Sequence, residues 1–211
     1  MRKIEKPFVI VIGHKKGGVG KTSTTCNIAT ELSKSNEVTV IDLDSQKQFT
    51  KFNNNRERKI NIKEVNSSDE LVKFLKADDG LTIIDLGGYD SELARTTLLL
   101  SDLIIVPLSD SSNDIDGLIE YRTILEELRE HMFVFNVKLL VNRVHHSDKA
   151  TYKALKEFTA DMDGFDVFDT VIRTRKEYKT ILSSGKSVSE QTKGTGAIEI
   201  AKLIKEIEEL I

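Results

Sequence analysis

The stretch that most constrains this chain is FVIVIGHKKGGVGKT, residues 8–22. Five apolar residues run directly into glycines, lysines and a threonine, and a helix-compatible segment, TSTTCNIATELSK, follows. A glycine loop between a strand and a helix is built to hold phosphate. Glycines let successive backbone N–H groups turn toward one anion, and the helix N-terminus adds positive partial charge. In this reading Gly17, Gly18, Val19 and Gly20 form the cradle, Lys21 reaches the β- and γ-phosphates, and the Thr22 hydroxyl binds Mg²⁺. The spacing departs from the usual G-x-x-x-x-G-K-[ST]: Lys15 stands where the first glycine belongs, and Lys16 stands beside it.

Strands alternate with helical patterns along the whole chain. Residues 8–12, 38–42, 81–85, 103–108 and 138–142 are short and continuously apolar, as suits parallel strands covered on both faces. Leu118, Tyr121, Leu125 and Leu128 recur at helical spacing, as do Leu155, Phe158 and Met162. Ser67 with Glu70 reads as a capping box. This order predicts an α/β fold, a doubly wound, mostly parallel sheet with helices on both faces. The length of 211 residues, with no internal repeat or flexible linker, predicts a single domain spanning residues 1–211. The segment NNNRERK (53–59) predicts a surface connection.

Composition narrows the setting. No apolar run approaches the roughly 20 residues of a membrane span, and MRKIEKP followed by FVIVI is too short for a signal-peptide core. The lone Cys26 can form no internal disulfide, which predicts a cytoplasmic protein. On the helix after the loop, Cys26 reads as a small buried hydrophobe. The net charge of −3 hides an asymmetry: residues 110–130 hold seven acids against two arginines, while residues 173–193 hold six basic residues against two acids. Such segregation can make an anion-binding face on an acidic protein.

Phosphoryl transfer also needs a carboxylate for the metal and a group that positions water. Asp85 ends the strand LTIID, Asp42 ends VTVID, and Asp44 follows two residues on. All three are expected at the sheet mouth that carries the phosphate loop. KGGVGKT with the extra Lys16, VIDLDSQ and IIDLGG together resemble the deviant Walker A ATPases of the P-loop NTPase class. That family includes ParA-type partition ATPases and MinD-type division-site ATPases, and the chain resembles its small plasmid ParA/ParF-like members. The resemblance covers nearly the whole chain, including IIVPLSDSSND, LVNRV and VIRTRKEYKTILSSGKSVSE.

The resemblance implies a weak ATPase that works as a switch on ATP/ADP and Mg²⁺. Lys16 would cross a homodimer interface to the phosphates of the opposing protomer, and Lys21 would serve its own. Asp44 would position the attacking water, Asp42 would lie near the metal, and Asp85 would hold Mg²⁺ through water. Ser23 would touch the α-phosphate and Asn142 the adenine. Lys15 is given no role beyond positive potential near the phosphates. The ATP dimer would bind DNA without sequence preference through Arg173, Arg175, Lys176, Lys179 and Lys186, with Lys149, Lys153 and Lys156 as a second patch. It would be nucleoid-associated in that state, and a centromere-binding, ParB/ParG-like adaptor would stimulate hydrolysis. No helix-turn-helix segment precedes residue 8, which disfavours operator-specific repression. Ser45 replaces the proline of the family's Asp-x-Asp-Pro-Gln run.

A MinD-like membrane-cycling ATPase is the alternative, and it needs a lipid-binding terminal helix. The segment IEIAKLIKEIEELI is amphipathic, with Ile200, Leu203, Ile204, Ile207, Leu210 and Ile211 in one stripe. Its polar face has four glutamates against Lys202 and Lys205, whereas interfacial helices favour basic faces. The segment is therefore expected to pack on the sheet, with no membrane partner. An iron-protein relative would need paired cysteine ligands, which a single cysteine does not supply.

Overall fold

The computed structural model describes residues 7–109, 111–130, 136–145, 150–160, 164–191 and 193–211. Lys149, Met162 and the first six residues lie outside them. Strand β1 (Phe8–Ile12) is central to the sheet. Phe8, Ile10 and Ile12 enter one apolar core and Val9 and Val11 enter another, so a period of two buries the entire strand.

The chain continues through α1 (Lys21–Leu32), β2 (Val38–Asp42), α2 (Gln48–Asn54), β3 (Asn61–Ile62), α3 (Ser68–Ala77) and β4 (Leu81–Asp85). Then come α4 (Glu92–Leu99), β5 (Leu103–Leu108), α5 (Ser112–Glu130), β6 (Asn136–Val144) and α6 (Ala150–Thr159). The last elements are β7 (Phe165–Val167), β8 (Ile172–Arg173), α7 (Lys176–Ser184), α8 (Val188–Gln191) and α9 (Thr195–Glu208). Every described strand pairing is parallel, in the order β3-β2-β4-β1-β5-β6-β7, with β8 against the end of β6.

Helices α1, α2, α7 and α9 cover one face and α3, α4, α5 and α6 the other, the two-faced α/β sheet expected. A fully buried Ile or Leu contributes about 1.5–3 kcal/mol relative to exposure, so continuous apolar strands are stable only between two such layers. β1 sits between β4 and β5. The chain leaves it toward one edge and later turns to the other, which opens a crevice at the carboxyl ends of the strands.

The long strands fall where the apolar runs place them, except that the expected strand 138–142 extends to Asn136–Val144. Strands β3, β7 and β8 have two or three residues each and contain Asn61, Asp166 and Arg173. Pairing alone defines them, so no periodicity announces them. The Ser67 hydroxyl caps α3 by accepting from the Glu70 amide, but the Glu70 carboxylate takes the Asn66 amide, one residue outside the usual box.

The stretch 53–59 is mostly exposed, as expected, with two exceptions. Asn53 and Arg56 are buried. Asn53 bonds both main-chain polar groups of Ile60. Arg56 makes a bidentate pair with Glu190, at 2.9 and 3.1 Å, and donates to the Gly185 carbonyl. A run of polar residues looks solvated in sequence, but Arg56 meets its partners 129–134 positions away.

Ile200, Leu203, Ile204 and Ile207 of α9 are buried in the core it shares with α1. Cys26 is fully buried in the same core, and that burial holds its thiol well above the usual range. Among the described residues, no helix is long and apolar enough to cross a membrane.

Candidate active site

The β1–α1 loop turns on Gly18 and Gly20, at φ +80° and +100°, where an L side chain is strained. At Gly20 a Cβ would also stand 2.3 Å from the Asn142 amide nitrogen. Helix α1 begins there without a side-chain cap and without an acid in its first turn. Its first amides and its positive dipole end are thus left to an incoming anion. The buried Lys21 donates from Nζ to the Lys16 carbonyl at 2.9 Å and closes the loop on itself. Burial lowers its pKa, against the opposing pull of Asp85 and Asp44. In front lies a cavity of about 440 Å³, bordered by Gly17, Gly18, Gly20, Lys21, Thr22 and Ser23.

The three acids have separate environments. Asp85 is fully buried at the end of β4. Its Oδ1 accepts from Thr25 at 3.1 Å, while Oδ2 has no partner. Burial pushes its pKa up to about 7, opposed by the neighbouring Thr22 and Thr25 hydroxyls and reinforced by Asp42. Asp44 borders the cavity, and its Oδ1 accepts from the Gln46 amide at 2.8 Å. Asp42 is not available at the mouth. Its Oδ2 accepts from both the amide and the hydroxyl of Thr50, and its Oδ1 from the Asp44 amide at 3.3 Å. Asp42, expected near the metal, instead spends Oδ2 on α2: the N-cap residue Lys47 gives that helix no side-chain cap, and Asp42 takes the Thr50 amide and hydroxyl in its first turn.

The opposite wall comes from β6, β8 and α7. Asn142 donates its amide to the Val19 carbonyl at 2.8 Å and so supports the loop from the neighbouring strand. Arg143 stands at φ +59°, at an irregularity in the β6–β8 pairing, which turns its guanidinium onto the Gly18 carbonyl. Within LVNRV, Arg143 carries no expected role of its own. The available signal was its place directly after Asn142, where an apolar strand ends. Tyr178 and Leu182 of α7 give this wall an apolar surface that was also not anticipated.

Arg173 and Arg175 border the cavity too, and both guanidiniums turn to the buried Glu199, at 3.4 and 2.6 Å. They therefore do not share the setting of Lys176 and Lys186, which are exposed and away from the cavity, whereas Lys179 is exposed but borders it as well. In the second basic stretch, Lys153 pairs with Glu157 at 3.5 Å and Lys156 with Asp166 at 2.9 Å.

Lys15 and Lys16 lie away from the cavity. Lys15 pairs with Glu120 of α5 at 2.6 Å, a partner the sequence did not reveal. The methylenes of Lys16 run along α5 at Gly117, where a Cβ would come within 2.4 Å of Lys16 Cγ. One lysine closes its own loop, and two follow α5.

Asp85 makes the site sensitive to pH. An unfolded aspartate titrates near 3.8 and the folded one near 7. Between those values the folded chain keeps a proton that the unfolded chain has released. The stability contributed by Asp85 therefore falls as pH rises through that window. His14 acts oppositely, because burial lowers its pKa to about 4. Asp85→Asn isolates the first effect: in metal-free and nucleotide-free protein, its Tm should gain on wild type by roughly 5 °C from pH 4.5 to pH 7. A constant gap across that range would contradict the assignment.

Residues 10–188 match the CobQ/CobB/MinD/ParA nucleotide binding domain. The chain is 25% identical to the protein ParA of Rhizobium radiobacter, with 92% of each chain covered. It is 22% identical to the maintenance of carboxysome distribution protein A of Halothiobacillus neapolitanus, covering 96% of this chain and 97% of that one. A Borrelia burgdorferi B31 protein assigned to plasmid partition and bound to AMPPNP shares the fold, with a TM-score of 0.74 at 19% identity. That match covers 98% of this chain and 100% of the other.

Proposed function

The chain belongs to the CobQ/CobB/MinD/ParA family of nucleotide-binding domains, and from that premise we propose that it is an ATP-driven partition switch. In this reading residues 1–211 act as one domain. ATP joins two copies face to face, the pair binds DNA without sequence preference, and hydrolysis, stimulated by a centromere-binding adaptor, releases it. The observation that carries the reading is the divergence of the lysines. Lys21 lies at its own cavity, whereas the Lys16 side chain leaves it along α5. A cation that serves no phosphate in its own subunit suits phosphates presented by a second copy.

Within one copy the loop amides, Lys21 and Ser23 would hold the phosphates. Tyr178 and Leu182 would meet the base, and Asn142 would offer its carbonyl oxygen to the adenine amine. A magnesium ion fits Thr22 and Asp85, because Asp85 Oδ2 is buried without a partner. Such an ion neutralises charge on the β- and γ-phosphates. Asp44, beside the cavity with its carboxylate not spent on a helix, would orient the attacking water.

For DNA, the reading rests on Lys176, Lys179 and Lys186, with Arg173 and Arg175 shaping the cavity wall. Replacing Lys176 and Lys186 by alanine should abolish ATP-dependent shifts of non-specific DNA and leave ATP-dependent dimerisation intact, with Lys179 kept because it borders the nucleotide cavity. Binding by the wild type should fall with salt, with a log–log slope of about −0.9 per neutralised phosphate. A gel-shift series with ADP, ATP and a slow analogue tests this directly. ATP-dependent flotation with liposomes and no shift of DNA would instead favour the membrane-cycling reading. The burial of the α9 apolar stripe in the fold weighs against that alternative.

A further inference from the structure

We propose that His14 is a positioning residue for Lys16, locking the backbone from which that lysine reaches out. The inference rests on the role just given to Lys16. His14 is 1% exposed and lies between the loop and α5. Its Nδ1 accepts from the Lys16 amide at 2.9 Å, and its Nε2 lies 3.2 Å from the Asp114 carbonyl. One neutral tautomer satisfies both contacts: Nδ1 bears the lone pair and Nε2–H donates to Asp114. A charged ring would forfeit the Lys16 bond, and burial and the nearby Lys21 and Lys16 oppose protonation more than Asp114 favours it.

The surroundings make this arrangement rigid. The Asp114 carboxylate accepts from the amide and the hydroxyl of Ser109, at 3.0 and 2.7 Å, which ties the start of α5 to the end of β5. Tyr121 of α5 stacks on the imidazole, with centroids 6.3 Å apart. Gly117 leaves the space that both groups use. A Cβ there would stand 2.8 Å from His14 Cε1 and 2.4 Å from Lys16 Cγ. Lys16 is thus bracketed: His14 holds its amide and Lys21 holds its carbonyl at 2.9 Å. What remains free is the side chain, already lying along α5.

The test is a mutant cycle on the full chain, reading ATP turnover, ATP-dependent dimerisation and Tm. His14→Ala should lower kcat about tenfold with KM for ATP changed less than about threefold, as expected of a misplaced group acting in the transition state. His14→Asn, whose Oδ1 can replace Nδ1 as acceptor for the Lys16 amide, should recover most of the turnover. His14→Gln reaches Asp114 but misses that amide, so it should fold and stay slow; this pair carries the test even if the alanine variant is unstable. In a Lys16→Ala background, His14→Ala should lower Tm again but leave turnover within about twofold. Multiplicative losses of turnover in the double variant, or Asn as slow as Gln, would overturn the proposal. Normal turnover and dimerisation in Lys16→Ala alone would instead remove the reading on which it rests.

Discussion

Lys16→Ala should bind ATP within about threefold of wild type yet show no ATP-dependent dimer, with turnover reduced at least about a hundredfold. The two halves of this result have different causes. Both hydrogen bonds that Lys16 makes within the loop are main-chain bonds, its amide to His14 and its carbonyl from Lys21. Alanine keeps both, so the cradle and Lys21 are preserved. What is lost is one ammonium group beside α5. At a closing interface, a unit charge about 4 Å from a phosphate oxygen is worth about 4 kcal/mol at an effective dielectric of 20. That corresponds to roughly a thousandfold in the dimerisation constant for each of the two lysines a symmetric pair would lose, far more than a rim contact would give. Nucleotide titration of the monomer and light scattering with ATP and ADP read the two halves separately. A variant that dimerises normally on ATP would end the sandwich reading.

Asp44→Ala should show the opposite profile: ATP bound, dimer formed, and hydrolysis slowed by roughly 10²–10³. Among the three acids, Asp42 is committed to Thr50 and Asp85 is sealed beneath Thr22 and Thr25. Asp44 alone of the three borders the cavity, with one oxygen in a local turn to the Gln46 amide. Losing that turn should cost no more than about 1 kcal/mol of stability, too little to explain a large kinetic loss through unfolding. Single-turnover hydrolysis with preformed dimer isolates the step. Undiminished turnover would remove Asp44 from the role, and failure to dimerise would mean that its loop shapes the interface.

What could be read in advance divides along a physical line. The five long strands and the phosphate loop are local statements, because period, β-branching and glycine spacing are properties of neighbouring residues. The burial of α9 was legible as well, since six apolar residues on one face and glutamates on the other leave few ways to pack. Other features depend on partners that periodicity does not mark, near or far along the chain. Asp42 looked like a site residue until Thr50 was seen on it, and Arg56 looked solvated until Glu190 reached it. Arg143 owes its place to a left-handed backbone at a strand irregularity, which sequence does not mark for a non-glycine residue. His14 was unremarkable in GHKKGGVGKT, because only the fold brings Asp114 and Gly117 to it.

Helix α2 has only seven residues but is tied at both ends. At its front, Thr50 holds Asp42. Just past its end, Asn55 donates to the carbonyls of Leu182 and Ser183, and Arg56 grips Gly185 and Glu190. It therefore behaves as a short strut between the turn that carries Asp44 and the segment that carries Lys179 and Lys186. The Asp42 carboxylate accepts from Thr50 and from the Asp44 amide, so the turn and the front of the helix share one acceptor group. The chemical and the charged faces of the molecule are thus joined through one hydrogen-bonded element.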